Sequence, residues 1–296
     1  MIKLNLVDLE KSDIKYKISK FPDGQQTVDL TEWKDLDYTD PVKITSRLNS
    51  FKDLELIICA VGAIRNIKPH KKIFLNVPYF LGSRSDRKFV DGGVNYLKQV
   101  ICPIINSLNL TCVMVLDPHS DVLEACLNNY EKVSNDIVVE HSLLSLSSQY
   151  TNPVGFKPAI VSPDAGALKK IYDVAKNNNI ETVITASKVR DVKTSKIVKT
   201  ELPETDWAGI SDVLIIDDIC DGGRTFIELA KVIRESGFTG ILSLVVSHGI
   251  FSAGLKPLNE HFDYIFTTNS VVDEKDPDFE MKNVYERHKL VQFNVM

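Results

Sequence analysis

Ile215-Ile216-Asp217-Asp218-Ile219-Cys220-Asp221-Gly222-Gly223-Arg224-Thr225-Phe226, written IIDDICDGGRTF, sets three carboxylates behind an apolar run and ahead of a glycine pair. Residues 213–216 read as a buried strand and residues 226–236 as a helix closed by Gly237, so DDICDGGRT is expected in the connecting loop. Such a loop is an anion-binding position, because helix N-terminal N–H groups and the helix dipole converge there and glycine lets backbone approach a ligand. Asp217 and Asp218 would repel an anion unless they face something else. Paired carboxylates suit a polyol such as the 2- and 3-hydroxyls of a ribose, so a sugar phosphate satisfies both ends of the stretch.

Rival readings compete for these residues. Asp217, Asp221, Gly222 and Glu228 fall at positions one, five, six and twelve of a calcium loop, but Ile219 occupies a ligand position and a strand precedes the stretch. A Walker-type loop ends in Gly-Lys-Ser/Thr; the nearest string, Gly249-Ile250-Phe251-Ser252-Ala253-Gly254-Leu255, has no lysine. A solvated acidic turn leaves the glycine pair unexplained.

Outward from this stretch, short Val/Ile/Leu runs alternate with segments of helical period, the pattern of an α/β protein with a parallel sheet between helices. Strands are expected over 54–60, 72–77, 111–116, 159–162, 182–186, 213–216, 241–246 and 264–268, and helices over 40–49, 94–108, 121–128, 165–177 and 226–236. The 296 residues are enough for two domains, divided near residue 140 as 1–140 and 141–296, with 135–158 read as the crossover.

Composition narrows the function. At 44% hydrophobic and 25% charged residues the chain is ordinary globular protein, and no apolar run reaches the length of a membrane span. The start has no uninterrupted apolar signal-peptide core, so a cytoplasmic location and no membrane partner are expected. Five cysteines, without a CxxC pair, read as reduced thiols. A net charge of −5 gives no general attraction to nucleic acid, so any phosphate site is local.

The opening stretch resembles the phosphoribosyl diphosphate (PRPP) motif of type I phosphoribosyltransferases, and further strings narrow the resemblance to ribose-phosphate pyrophosphokinases, the PRPP synthetases. Lys20-Phe21-Pro22-Asp23-Gly24-Gln25 resembles that family's ATP loop, and Pro78-Tyr79 with Arg84-Ser85-Asp86-Arg87 its PY…RQDR element. Val115-Leu116-Asp117-Pro118-His119-Ser120-Asp121 is similar to its VDLHxxQ string, and Val161-Ser162-Pro163-Asp164-Ala165-Gly166 to its pyrophosphate loop. Ser187-Lys188-Val189-Arg190 matches its catalytic lysine and arginine, Ser247-His248-Gly249 its THG string, and Thr268-Asn269-Ser270 its TNT. These strings run in order from about residue 20 to 270.

The resemblance implies two phosphoribosyltransferase-like domains and transfer of the β,γ-diphosphate of ATP to the anomeric hydroxyl of ribose 5-phosphate. It implies Lys188, Arg190 and His119 as catalytic groups, and Phe21, Asp23, Gln25, Arg84 and Asp86 around ATP. Asp217, Asp218, Asp221, Gly222, Gly223, Arg224 and Thr225 would hold the ribose phosphate, and His119 and Asp164 would hold magnesium. The family's ATP loop serves a neighbouring subunit, which implies a homo-oligomer, a dimer or a hexamer built from dimers. Two other readings stay open: a phosphoribosyltransferase that consumes PRPP, and a catalytically silent regulatory subunit.

Four departures stand out. Gln25 replaces the usual glutamate, Phe80-Leu81-Gly82-Ser83 lengthens the spacer before Arg84, and Phe89-Val90-Asp91-Gly92-Gly93 replaces an Arg-Ala-Pro segment. Arg224 stands where ordinary members carry a small residue, and a guanidinium there can pair with a further phosphate. The combination resembles the short branch of the family found in phages and some bacteria, some members of which pyrophosphorylate ADP-ribose in rebuilding NAD. Ribose 5-phosphate and ADP-ribose both remain expected acceptors.

Overall fold

The computed structural model describes residues 1–33, 39–152, 155–163, 168–190, 197–283 and 289–296, and their side chains except those at 168, 169, 188–190 and 197–199. The chain divides into two compact units, Met1–Ser134 with Val295–Met296, and Asn135–Asn294. Among the described residues no helix is long and apolar enough to cross a membrane. All five cysteines are free thiols, and burial raises Cys112 to about 11 and Cys102 to about 12.

The first unit contains β1 (Ile2–Asn5), β2 (Lys15–Lys20), β3 (Gln26–Glu32), β4 (Val42–Thr45), α1 (Phe51–Ile67), β5 (Ile73–Asn76), α2 (Cys102–Ser107), β6 (Cys112–Leu116), α3 (Val122–Cys126) and β7 (Tyr130–Val133). Strands β1, β4, β5, β6 and β7 form a parallel sheet in that order, and β2 and β3 form an antiparallel hairpin.

Two expectations are reversed in this unit. Residues 54–60, read as a strand, lie in α1, and residues 40–49, read as a helix, contain β4. Ahead of the run LELIICAV, the Asp53 N–H donates to Ser50 Oγ and the Ser50 N–H donates to Asp53 Oδ2, a capping box that starts a helix. Leu54, Ile57, Val61 and Ile64 then bury one face at helical spacing. In β4, Val42 and Ile44 alternate with Lys43 over a strand of only 4 residues, too short to reveal its period in sequence. The helix expected over 94–108 begins with a π-helical turn, Leu97–Ile101, before α2.

The second unit contains α4 (Asp136–Ser147), β8 (Pro158–Ser162), α5 (Leu168–Asn177), β9 (Thr182–Thr185), β10 (Ser187–Arg190), β11 (Ile197–Glu201), β12 (Asp212–Cys220), α6 (Arg224–Glu235), β13 (Ile241–Gly249), α7 (Lys256–Asn259), β14 (Tyr264–Thr268), α8 (Pro277–Lys282) and β15 (Leu290–Phe293). Its sheet is parallel throughout, in the order β15-β14-β13-β12-β8-β9. The stretch read as a crossover holds α4. Its serines disguise a helix, because Ser142, Ser147 and Ser148 return their hydroxyls to backbone carbonyls three or four residues back.

Val213 to Ile216 of β12 are fully buried because helices cover both faces of the sheet. Val213 and Ile215 pack with Leu229, Ala230 and Ile233 of α6, whereas Leu214 and Ile216 pack with Val138 of α4 and with Ile171 and Val174 of α5. The expected fold class, parallel sheets flanked by helices, is the one observed. Strand order reverses between β8 and β12: β9 is added on one side of β8, and β12 to β15 follow on the other. The carboxyl ends of β8 and β12 therefore flank a switch point, where open sheets of this kind bind ligands.

Candidate active site

Strand β12 continues to Cys220, so Asp217 and Asp218 lie in the strand and not in the expected loop, which shrinks to Asp221–Gly223. Gly223 caps α6 at φ +80°, and a Cβ there would stand 2.7 Å from Leu258 Cδ2. Backbone and packing both require glycine at that position. At Gly222 the atom nearest an added Cβ is Ser252 Oγ, 3.8 Å away, so the fold itself leaves that position open. No side chain caps α6, and the N–H groups of its first turn have no intrahelical partner.

The two acids converge. The Asp218 N–H donates to Asp217 Oδ1 at 2.9 Å, and the carboxyl groups share a hydrogen bond. Burial first, and then the charge of Asp218, push the Asp217 carboxyl well above the usual carboxylate range, with Lys170 of α5 offsetting part of the rise.

Asp221 Oδ1 accepts a hydrogen bond from Ser252 Oγ at 2.6 Å. Arg224, the first residue of α6, is largely exposed and donates from Nε to Glu228 Oε1 at 2.8 Å. That bond and the Glu228 charge raise the guanidinium's pKa further. Thr225 follows in the same turn, half-buried.

The SHG and TNS strings form a buried polar knot at the ends of β13 and β14. His248 Nδ1 lies 2.8 Å from Ser270 Oγ, while Thr268 Oγ1 and Ser270 Oγ donate to Ser247 O at 2.6 and 3.2 Å.

Lys188 and Arg190 lie on β10, a strand separate from β9 that pairs antiparallel with β11. Lys188 faces Thr200 in register, and an irregularity falls between Val189 and Arg190, so simple alternation does not relate the two cations. Asp164 lies outside the described residues.

In the first unit, the loop Phe21–Gln25 closes the β2–β3 hairpin. The Phe21 N–H donates to Gln25 O, the Gly24 N–H to Phe21 O, and the Gln25 N–H to Asp23 Oδ1, at 2.8, 2.9 and 3.1 Å. Phe21 is 49% exposed, so it is no core residue, and Asp23 and Gln25 are exposed beside it. The Leu116 N–H donates to Pro78 O at 3.0 Å, which ties the string holding His119 to Pro78-Tyr79 at the carboxyl ends of β6 and β5. His119 is exposed and Asp117, two residues before it, is buried at φ +43°.

The lengthened spacer is a packed turn: Phe80 is buried, and Gly82 sits at φ +81° where a Cβ would meet the Tyr96 ring at 2.7 Å. Beyond exposed Arg84 and half-buried Asp86, whose carbonyl accepts from Asn95 Nδ2 at 2.5 Å, Phe89 and Val90 are exposed. Among the described residues no group of three or more His, Cys, Asp and Glu side chains is gathered to hold a metal.

Sequence reasoning missed Lys170 and Ser252. Lys170 carried no motif. Ser252 stood in plain view in the string set aside as a nucleotide loop.

A parallel sheet with carboxylates and a glycine turn at its switch point belongs to the class of open-sheet α/β proteins that bind ligands at the carboxyl ends of their strands. No family model matches the chain. A ribose-phosphate pyrophosphokinase of Sulfurisphaera tokodaii is 30% identical over 223 residues, covering 75% of this chain and 72% of that protein. A second, of Sulfolobus acidocaldarius, is 24% identical over 262 residues, covering 87% and 85%. The crystal structure of phosphoribosylpyrophosphate synthetase from Mycobacterium smegmatis shares the fold with a TM-score of 0.74 over 97% of this chain and 88% of that one, at 15% identity. The chain belongs to the ribose-phosphate pyrophosphokinase family of ATP-dependent diphosphotransferases.

Proposed function

We propose that the protein transfers the β,γ-diphosphate of ATP to the anomeric hydroxyl of a 5-phosphoribosyl acceptor and releases AMP. The observation that carries this reading is the placement of the Asp217–Asp218 pair beside the open Gly222 position and the uncapped start of α6, at a reversal of strand order. The acid pair takes the ribose hydroxyls. The backbone from Asp221 to Thr225 takes the 5-phosphate, with no side chain at Gly222 to obstruct it.

Held at both ends, the acceptor presents its C1 hydroxyl, whose oxygen bonds to the β-phosphorus as the bond from that phosphorus to the bridging oxygen of AMP breaks. Positioning and charge neutralisation do most of the work in such transfers. Lys188 and Arg190 supply cations for the transferring group, and Phe21, Asp23, Gln25, Arg84 and Asp86 hold ATP. Magnesium, when bound, adds positive charge at the phosphate oxygens. By the family resemblance, His119 and Asp164 are the residues that would hold it.

The exposed Phe21 loop, whose family counterpart serves a neighbouring subunit, supports a homo-oligomer. Ribose 5-phosphate and ADP-ribose both fit the acceptor's role, and Arg224 is the residue that separates them. Incubation with ATP, magnesium and either acceptor is expected to yield AMP and an acceptor heavier by one diphosphate, read by mass spectrometry. Formation of ADP alone, or turnover indifferent to the acceptor, rejects the reading.

A further inference from the structure

The string from Gly249 to Leu255 has no lysine and no nucleotide-loop geometry, yet it is built against the phosphate loop. Leaving β13, it folds back on the end of β12. The N–H groups of Ile250 and Phe251 donate to Cys220 O at 2.8 and 3.2 Å, and that of Ser252 donates to Asp221 O at 3.2 Å. Ser252 Oγ then donates to Asp221 Oδ1 at 2.6 Å and is the atom nearest the open side of Gly222.

A second layer holds the first. Lys282, at the end of α8, donates from Nζ to Ser252 O at 2.5 Å, and Asn283 Oδ1 accepts the Leu255 N–H at 2.9 Å. The rings of Phe251 and Phe279 lie 6.3 Å apart beneath these bonds. Phe251 at φ +48° and Gly254 at φ +78° give the string its tight path.

We infer that Ser252, fixed by Lys282, is a positioning residue for the acceptor's phosphate: its hydroxyl engages the Asp221 carboxylate and keeps that charge off the N–H groups of Gly223 to Thr225. The inference rests on the reading of residues 221–225 as a phosphate site. A carboxylate in that loop competes for the donors a phosphate needs and repels a dianion. Engaged by Ser252, it instead braces the turn. Lys282 also brings a cation behind the loop, so the string borrows from α8 the lysine it lacks.

The test is a cycle of Ser252→Ala, Asp221→Asn and the double variant, with Ser252→Thr as the conservative control. Steady-state kinetics with both acceptors and calorimetric titration of inorganic phosphate are the readouts. Ser252 is exposed, so its truncation leaves the fold intact. Ser252→Ala is expected to raise the acceptor KM roughly tenfold, the weight of one charge-assisted hydrogen bond, with kcat and the ATP KM unchanged. Ser252→Thr is expected to restore the KM, and in the Asp221→Asn background the alanine change is expected to have no effect. An equal rise in both backgrounds, or a fall in kcat without a rise in KM, overturns the inference. Should the wild type turn over neither acceptor, the functional reading fails separately, and phosphate affinity decides: loss in Ser252→Ala with recovery in the double variant supports the inference, and any other pattern overturns it.

Discussion

The Asp218 N–H bonds to the Asp217 carboxylate at 2.9 Å, and burial together with the Asp218 charge holds the Asp217 carboxyl well above the usual carboxylate range. Because the Asp217 pKa is raised in the folded state, the pair contributes stability that is full below the ordinary carboxylate value of 3.8 and is lost as pH rises through the raised value.

The ligand-free wild type is therefore expected to lose thermal stability as pH rises from the ordinary carboxylate range through the raised Asp217 value, and Asp217→Asn to flatten that loss and melt higher at the upper end. The acceptor KM should rise in the same variant. Melting temperatures that depend on pH in the same way in the two proteins would refute the raised Asp217 pKa.

The glycine pair separates fold from function. Gly223→Ala places a side chain at φ +80° against Leu258 and is expected to cost at least about 1–2 kcal/mol of stability, measured by denaturant unfolding. Gly222→Ala meets nothing in the protein closer than 3.8 Å and should leave stability unchanged. If phosphate approaches there, the same change raises the acceptor KM roughly ten- to a hundredfold. A Gly222→Ala enzyme with unchanged KM would move the phosphate elsewhere.

How much of this was legible in the sequence depended on length and on local rivals. Residues 264–268 were read at their observed bounds, because an isolated Tyr-Ile-Phe-Thr-Thr run with turn residues on both sides has no helical alternative. Residues 54–60 were misread because composition favours a strand, and the deciding signal lay upstream in Ser50 and Asp53. The acids were found, but β12 ran past its apolar stretch, since a strand ends where pairing ends: Ile219 still pairs with His248 and Cys220 with Gly249. Ser252 was invisible as a partner of Asp221 because the two are 31 residues apart and joined only by the parallel register of β12 and β13.

Phe21 tests the ATP loop. With 49% of its surface exposed and no core contact to lose, Phe21→Ala should change stability by less than about 0.5 kcal/mol. Loss of a base-stacking ring should raise the ATP KM about tenfold, with the acceptor KM unaffected. An unchanged ATP KM would remove the loop from the nucleotide site.

Lys188 and Arg190 test the chemistry. Substituting either by alanine is expected to lower kcat by roughly a hundred- to a thousandfold, the loss typical of one preorganised charge-stabilising group, with little change in either KM. The β10–β11 pairing is made by backbone, so circular dichroism and melting should match the wild type. A PRPP-consuming transferase would keep its activity in both variants, which makes this pair the cleanest separation from that class.

Arg224 tests the acceptor. Its side chain is 88% exposed and lies along α6, held by Glu228 at 2.8 Å, so it does not occupy the phosphate loop in the ligand-free protein. To meet a second phosphate it must exchange that carboxylate for the ligand, and an exposed ion pair opposes the exchange only weakly. Arg224→Ala is expected to lower kcat/KM for ADP-ribose at least about tenfold while sparing ribose 5-phosphate, and Glu228→Gln, which releases the guanidinium, to raise it for ADP-ribose alone. Equal losses for both acceptors in Arg224→Ala would assign the residue to the shared 5-phosphate. No loss for either would leave it to the surface of α6, paired with Glu228.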